Sequence, residues 1–101
     1  MKRIFAYSPD KIITQTIELL LKSNPEVQLF TYNQLEEALV QLSGLDAHVA
    51  VVDMQGAEAG KMLEQLQNVP TVVWIGEGAP ALEKFKVLTR PIRPFELLAL
   101  L

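Results

Sequence analysis

One carboxylate carries the strongest hint of chemistry in this chain. Asp53 follows the run His48 to Val52 within HVAVVDMQ, a stretch with few polar atoms and three β-branched valines. Such a run suits a strand covered on both faces, which places Asp53 at the strand's carboxyl end. Open α/β sheets gather their ligand sites along that edge. An aspartate ending a strand also serves as a helix cap or turn residue, so both roles stay open from position alone. The polar group nearest in kind is Ser8-Pro9-Asp10, which ends the first strand-like run, KRIFAY. Other constellations are sparse. His48 is the only histidine and has no second ligand beside it, which favours a surface or helix-contacting role. Gly76-x-Gly78 lacks the third glycine of a dinucleotide fingerprint and reads as a turn. No serine stands in a nucleophile elbow, so no enzyme activity is expected.

The 101 residues suffice for one domain with one modest core. Half are hydrophobic and 21% charged, an ordinary globular balance. A net charge of −3 without any basic block argues against direct nucleic-acid binding. The absence of cysteine removes disulfides, thiolate metal sites and a cysteine nucleophile. A strand pattern begins at once, without a signal peptide, and no apolar run reaches membrane-spanning length, so the expected location is the cytoplasm.

The elements that must position Asp53 follow in order. Lys2 to Tyr7 predicts a strand. Ser8 as cap, Pro9 at the first position and Asp10 beside it predict a helix with Ile12, Ile13, Ile17, Leu20 and Leu21 inward. Val27 to Thr31 predicts a second strand. Asn33 with Glu36 offers a capping box for a helix carrying Leu35, Ala38, Leu39 and Leu42, stopped at Gly44. After the Asp53 strand, Gly56 to Gln67 predicts a third helix with Ala59, Met62, Leu63 and Leu66 inward. Thr71 to Ile75 is a fourth strand, with Trp74 in the core. Only Ala81 to Phe85 remain for the next helix, enough for one or two turns. Lys86 to Thr89 then predicts a fifth strand, Arg90 to Pro94 a rigid turn, and Phe95 to Leu101 a final helix.

Strands alternating with helices imply parallel pairing. Five of them in a hundred residues suit an α/β, flavodoxin-like, doubly wound sheet of order 2-1-3-4-5, with the fourth helix shortened or missing. In that order the first and third strands are neighbours, so Ser8, Pro9, Asp10 and Asp53 face one crevice.

These residues, with Thr89-Arg90-Pro91 before FELL and the opening RIFAYSPDKII, resemble the CheY-like receiver domains of bacterial response regulators over essentially the whole chain. The resemblance implies an acidic pair after the first strand that holds Mg²⁺ and a phosphoacceptor aspartate after the third. It also implies a Thr or Ser after the fourth strand, and a Lys before a Pro, often cis, after the fifth. Asp53 matches the phosphoacceptor. Ser8 and Pro9 fall where the acidic pair belongs, with Asp10 one place beyond. Ile75 or Gly76 falls at the hydroxyl, Arg90 at the lysine, and Met54 to Glu58 lacks the usual proline.

Phosphoryl transfer to a carboxylate needs a cation to neutralise crowded oxygens, and Mg²⁺ is held through carboxylates. Asp10 and Asp53 alone make a weak or absent Mg²⁺ site, so no cofactor is expected. Arg90 can contact a phosphate or pair permanently with Asp53. The expectation is an atypical, phosphorylation-independent receiver: residues 1–101 as one domain, standing alone or as the N-terminal part of a longer regulator, with an attached output domain. The alternative is a working phosphoacceptor, phosphorylated on Asp53 by a histidine kinase. The leucines at 97, 98, 100 and 101 cannot share one helical stripe, which leaves apolar surface over. Phe95, Leu98 and Leu101 are therefore the expected interaction surface for a protein partner or a homodimer, through the fifth strand and final helix.

Overall fold

Opposite-facing side chains along each strand divide the core into two layers. The computed structural model describes residues 2–54 and 59–101. Its strands are β1 (Lys2–Tyr7), β2 (Val27–Tyr32), β3 (Val49–Asp53), β4 (Thr71–Ile75) and β5 (Phe85–Leu88). They pair in parallel in the order β2-β1-β3-β4-β5, the doubly wound arrangement read from the sequence. The helices are α1 (Lys11–Leu21), α2 (Leu35–Ser43), α3 (Ala59–Gln65) and α4 (Pro94–Leu100). Ile4, Ala6, Val49, Val51, Val73 and Ile75 cluster with Ile13, Ile17 and Leu21 of α1 and Leu97 of α4. Phe5, Ala50, Val52, Val72 and Trp74 cluster instead with Ala38 and Leu42 of α2 and Met62 of α3. Every residue of β3 is buried, which is why its sequence does not alternate.

Several local expectations are corrected. Asp10, not Ser8, caps α1: its carboxylate accepts from the Ile12 N–H at 2.9 Å. The Ser8 hydroxyl is drawn instead toward a buried partner described below. Ile12 is 70% exposed rather than inward. Ile13, Ile17 and Leu21 already define the buried stripe, and Ile12 lies about 100° around the helix from Ile13. The Asn33–Glu36 capping box does not form. Gln34 is the N-cap and makes no side-chain cap bond, because the Asn33 amide is engaged elsewhere. Gly44 does end α2, with its N–H on the Gln41 carbonyl and the Leu45 N–H on the Leu42 carbonyl. The expected start of α3 at Gly56 lies outside the described residues. His48 is exposed and faces β1, its Nδ1 accepting from the Arg3 N–H at 2.9 Å.

The segment between β4 and β5 contains no helix. Two turn bonds, Leu82 N–H to the Pro80 carbonyl and Phe85 N–H to the Leu82 carbonyl, replace the helical turns expected over Ala81 to Phe85. Lys84 explains why. Its Nζ donates to the Leu66 and Gln67 carbonyls at 2.9 and 3.0 Å, and its own carbonyl accepts from the Val72 N–H. So held, the chain enters β5 one residue early, at Phe85, whose ring meets Trp74 edge-on at 6.1 Å. Among the described residues no helix is long and apolar enough to cross a membrane.

Gly76, just after β4, has φ +110°, and a Cβ there would meet the Met54 carbonyl oxygen at 2.9 Å. Gly60, within α3, has nothing within 4 Å of such a carbon. In urea denaturation, Gly76→Ala is expected to lose about 2 kcal/mol of stability. Gly60→Ala is expected to gain about 0.5–1 kcal/mol from helix propensity.

Candidate functional site

Parallel pairing brings the carboxyl ends of β1, β3, β4 and β5 to one edge. Tyr7 lies opposite Val52, Asp53 opposite Ile75, and Ile75 opposite Leu88. The next residue along β1, Ser8, therefore lies beside Asp53, with Ile75 of β4 on its other side, and the turn after β5 brings Arg90 over it. Asp53 is 1% exposed and Ser8 fully buried. The Ser8 hydroxyl donates to Asp53 Oδ2 at 2.7 Å, and Arg90 Nη2 donates to Oδ1. The Arg90 side chain stays 38% exposed, and its bond to Pro91 is cis.

A supporting layer fixes Ser8. Its Oγ accepts from the Asp10 N–H at 3.0 Å, and its backbone N–H donates to the Tyr32 carbonyl. Asn33 Nδ2 donates to the Ser8 carbonyl and to Thr14 Oγ1, both at 3.0 Å. Ser8, Thr14 and Asp53 are the buried polar residues among those described, and all three belong to this one network. No buried side-chain nitrogen or oxygen among them lacks a partner. Burying an ion costs several kcal/mol unless it is paired and hydrogen-bonded. Here one oxygen of the carboxylate takes a hydroxyl and the other a guanidinium.

The residues expected from the sequence divide accordingly. Asp53 and Arg90 meet. Asp10 does not join them: its side chain is exposed and caps α1. Phe95 is 84% exposed and Leu98 40%. Leu101 is instead partly buried against the α1–α4 layer of the core, and its carbonyl accepts from Lys2 Nζ. Sequence reading placed Ser8 in the crevice with Asp53 but gave its hydroxyl to the helix cap, and it missed Asn33 as a member of the site. The signal available for Asn33 was register, since β2 pairs with β1 and Tyr32 lies opposite Tyr7.

The residues present do not fit a magnesium ion. Mg²⁺ demands an octahedron of oxygens with one or two protein carboxylates. Both Asp53 oxygens are engaged, and no group of three acidic, histidine or cysteine side chains converges among the described residues.

No family model matches the chain, and no curated protein does. Solved structures match closely in shape. A response regulator receiver domain protein from Bacillus halodurans superposes with a TM-score of 0.79 at 15% identity, covering 97% of this chain and 91% of that one. The chemotaxis protein CheY4 of Vibrio cholerae gives 0.71 at 20% identity, covering 98% and 94%. A response regulator receiver modulated diguanylate cyclase from Pelobacter carbinolicus gives 0.72 at 20% identity, covering 98% and 87%. The chain has the CheY-like receiver fold.

The pairing implies a measurable coupling. Arg90→Ala leaves a buried carboxylate without its cation and is expected to cost about 2–4 kcal/mol. In an Asp53→Asn background the same change should cost under about 1 kcal/mol, since no charge remains to be neutralised. Urea denaturation of the four proteins of this double-mutant cycle checks the difference. Equal costs in the two backgrounds would show that the Arg90–Asp53 pair contributes nothing.

Proposed function

We propose that this receiver fold is a phosphorylation-independent interaction module of bacterial signal transduction, in the cytoplasm, and not an enzyme. The observation that carries the reading is the engagement of both Asp53 oxygens from within the chain, by Ser8 and by Arg90. A phosphodonor must reach one of those oxygens, and a cation must neutralise the charge that builds there. Attack by Asp53 requires Arg90 or Ser8 to leave, and Asp10, the other carboxylate expected there, caps α1 instead. The guanidinium is always charged, so the site sits in one electrostatic state rather than two.

The module acts through its outer surface, on a protein partner or a second copy. Phe95 and Leu98 on α4, with Val87 on β5, supply exposed apolar area there. Receiver folds are found joined to effectors, as the name of the Pelobacter carbinolicus protein says, and an attached output domain is part of this proposal.

Intact-mass measurement after incubation with Mg²⁺ and acetyl phosphate tests the first half. The expected result is no phosphoryl adduct and no Mg²⁺-dependent amide shifts around Asp53. An adduct abolished by Asp53→Ala would establish the rival reading, a phosphoacceptor served by a histidine kinase. Sedimentation tests the second half: Phe95→Glu is expected to weaken self-association or partner binding at least about tenfold, with unchanged stability.

A further inference from the structure

A concavity lies beside the Asp53 site, between α1 and α4. It has a volume of about 320 Å³, at the low end for small-molecule sites. Asp53 does not line it. Ile12, Ile92, Pro94 and Leu97 form apolar wall, and Asp10 and Arg90 are its charged residues. Both charged residues come from loops at the carboxyl edge of the sheet, Asp10 after β1 and Arg90 after β5. Each has unused capacity. Asp10 accepts the Ile12 N–H through Oδ1 alone, and its Oδ2 has no partner among the described residues. Arg90 gives Asp53 only its Nη2, leaving Nη1 and Nε without partners among the described residues. Its side chain is more than a third exposed, so those donors can be reached.

We propose that this cleft binds a free α-amino acid with an apolar side chain. A carboxylate alone would meet the unbalanced charge of Asp10, and an amine alone would meet Arg90. A ligand carrying both charges on one carbon satisfies the two residues together. The carboxylate takes a free N–H of Arg90, the ammonium takes Asp10 Oδ2, and the side chain lies against Ile12, Ile92, Pro94 and Leu97. Ile12 is largely exposed in the free protein, although it sits on the first turn of α1. A ligand side chain would cover it. The assignment does not depend on whether Asp53 accepts a phosphoryl group. It does link the two sites, because the ligand's carboxylate and Asp53 share one guanidinium.

The test is a titration of the full chain, followed through amide NMR shifts, with L-leucine, 4-methylpentanoate, leucinamide and glycine. L-Leucine is expected to give saturable shifts at Ile12, Ile92 and Leu97. Loss of the ammonium, the carboxylate or the side chain should weaken binding by about tenfold or more. Asp10→Asn keeps the helix cap and removes the charge. It is expected to weaken L-leucine about tenfold and to tighten 4-methylpentanoate, whose carboxylate no longer meets the Asp10 charge. Absence of saturable L-leucine shifts at millimolar concentration overturns the proposal. So does 4-methylpentanoate binding as tightly as L-leucine, or Asp10→Asn without effect.

Discussion

A carboxylate held at 1% exposure is the constraint to which the rest of this sheet edge answers. Buried charge is tolerable only with an opposite charge and filled lone pairs. Asp53 obtains these from two distant stretches: a hydroxyl from the end of β1 and a guanidinium from the turn after β5. The hydroxyl must itself be held, which accounts for the Asp10 N–H on Ser8 Oγ and for Asn33 reaching from the end of β2 to the Ser8 carbonyl. One charge thus sets the local structure of four chain segments. It also explains two departures from local rules. Ser8 gives up the helix-capping role its type suggests, and Asn33 gives up the capping box.

The same constraint supports the proposal that this site does not switch. A switchable carboxylate is neutralised by ions that come and go. Here the cation is part of the chain. The hydroxyl expected after β4 is also excluded by the backbone, not only by the choice of residue. Gly76 has φ +110°, and any Cβ there would press on the Met54 carbonyl. Placing a serine or threonine at that position would demand a different path for the loop after β4. Trp74 opposes such a change, because its indole N–H donates to the Glu77 carbonyl at 2.9 Å and ties the loop to the buried ring.

Features set by local pattern were legible in the sequence. The valines of β3, the four-residue spacing of Ile13, Ile17 and Leu21, and the glycine after α2 act over one turn or one strand. From them followed the strand order and the placement of Asp53; its meeting with Arg90 was expected from the family resemblance alone. What was not legible depended on partners far away in sequence. Ser8 and Asp53 are 45 residues apart, Asn33 and Ser8 25. The exposure of Ile12 could not be read from hydrophobicity, because it depends on which of two adjacent isoleucines the sheet takes. Leu101 shows the converse: grouped by composition with the outward residues of the final helix, it folds back on the core beside Lys2.

The missing helix between β4 and β5 follows from the same kind of competition. A helix over Ala81 to Phe85 would have too few residues to nucleate well and no long face to bury. Lys84 offers an alternative. Its ammonium satisfies two carbonyls at the end of α3, where helices leave acceptors unpaired, and its backbone extends the β4–β5 ladder. Phe85 then fills against Trp74 part of the space a helix would have occupied. The replacement is incomplete at Val87. It pairs with Trp74 in register and so projects from the same face, yet it is 52% exposed while Trp74 is fully buried. Lys86, next to it on this edge strand, is exposed, and a lysine there discourages indiscriminate strand pairing. The edge thus sets one exposed apolar side chain, Val87, beside an exposed lysine.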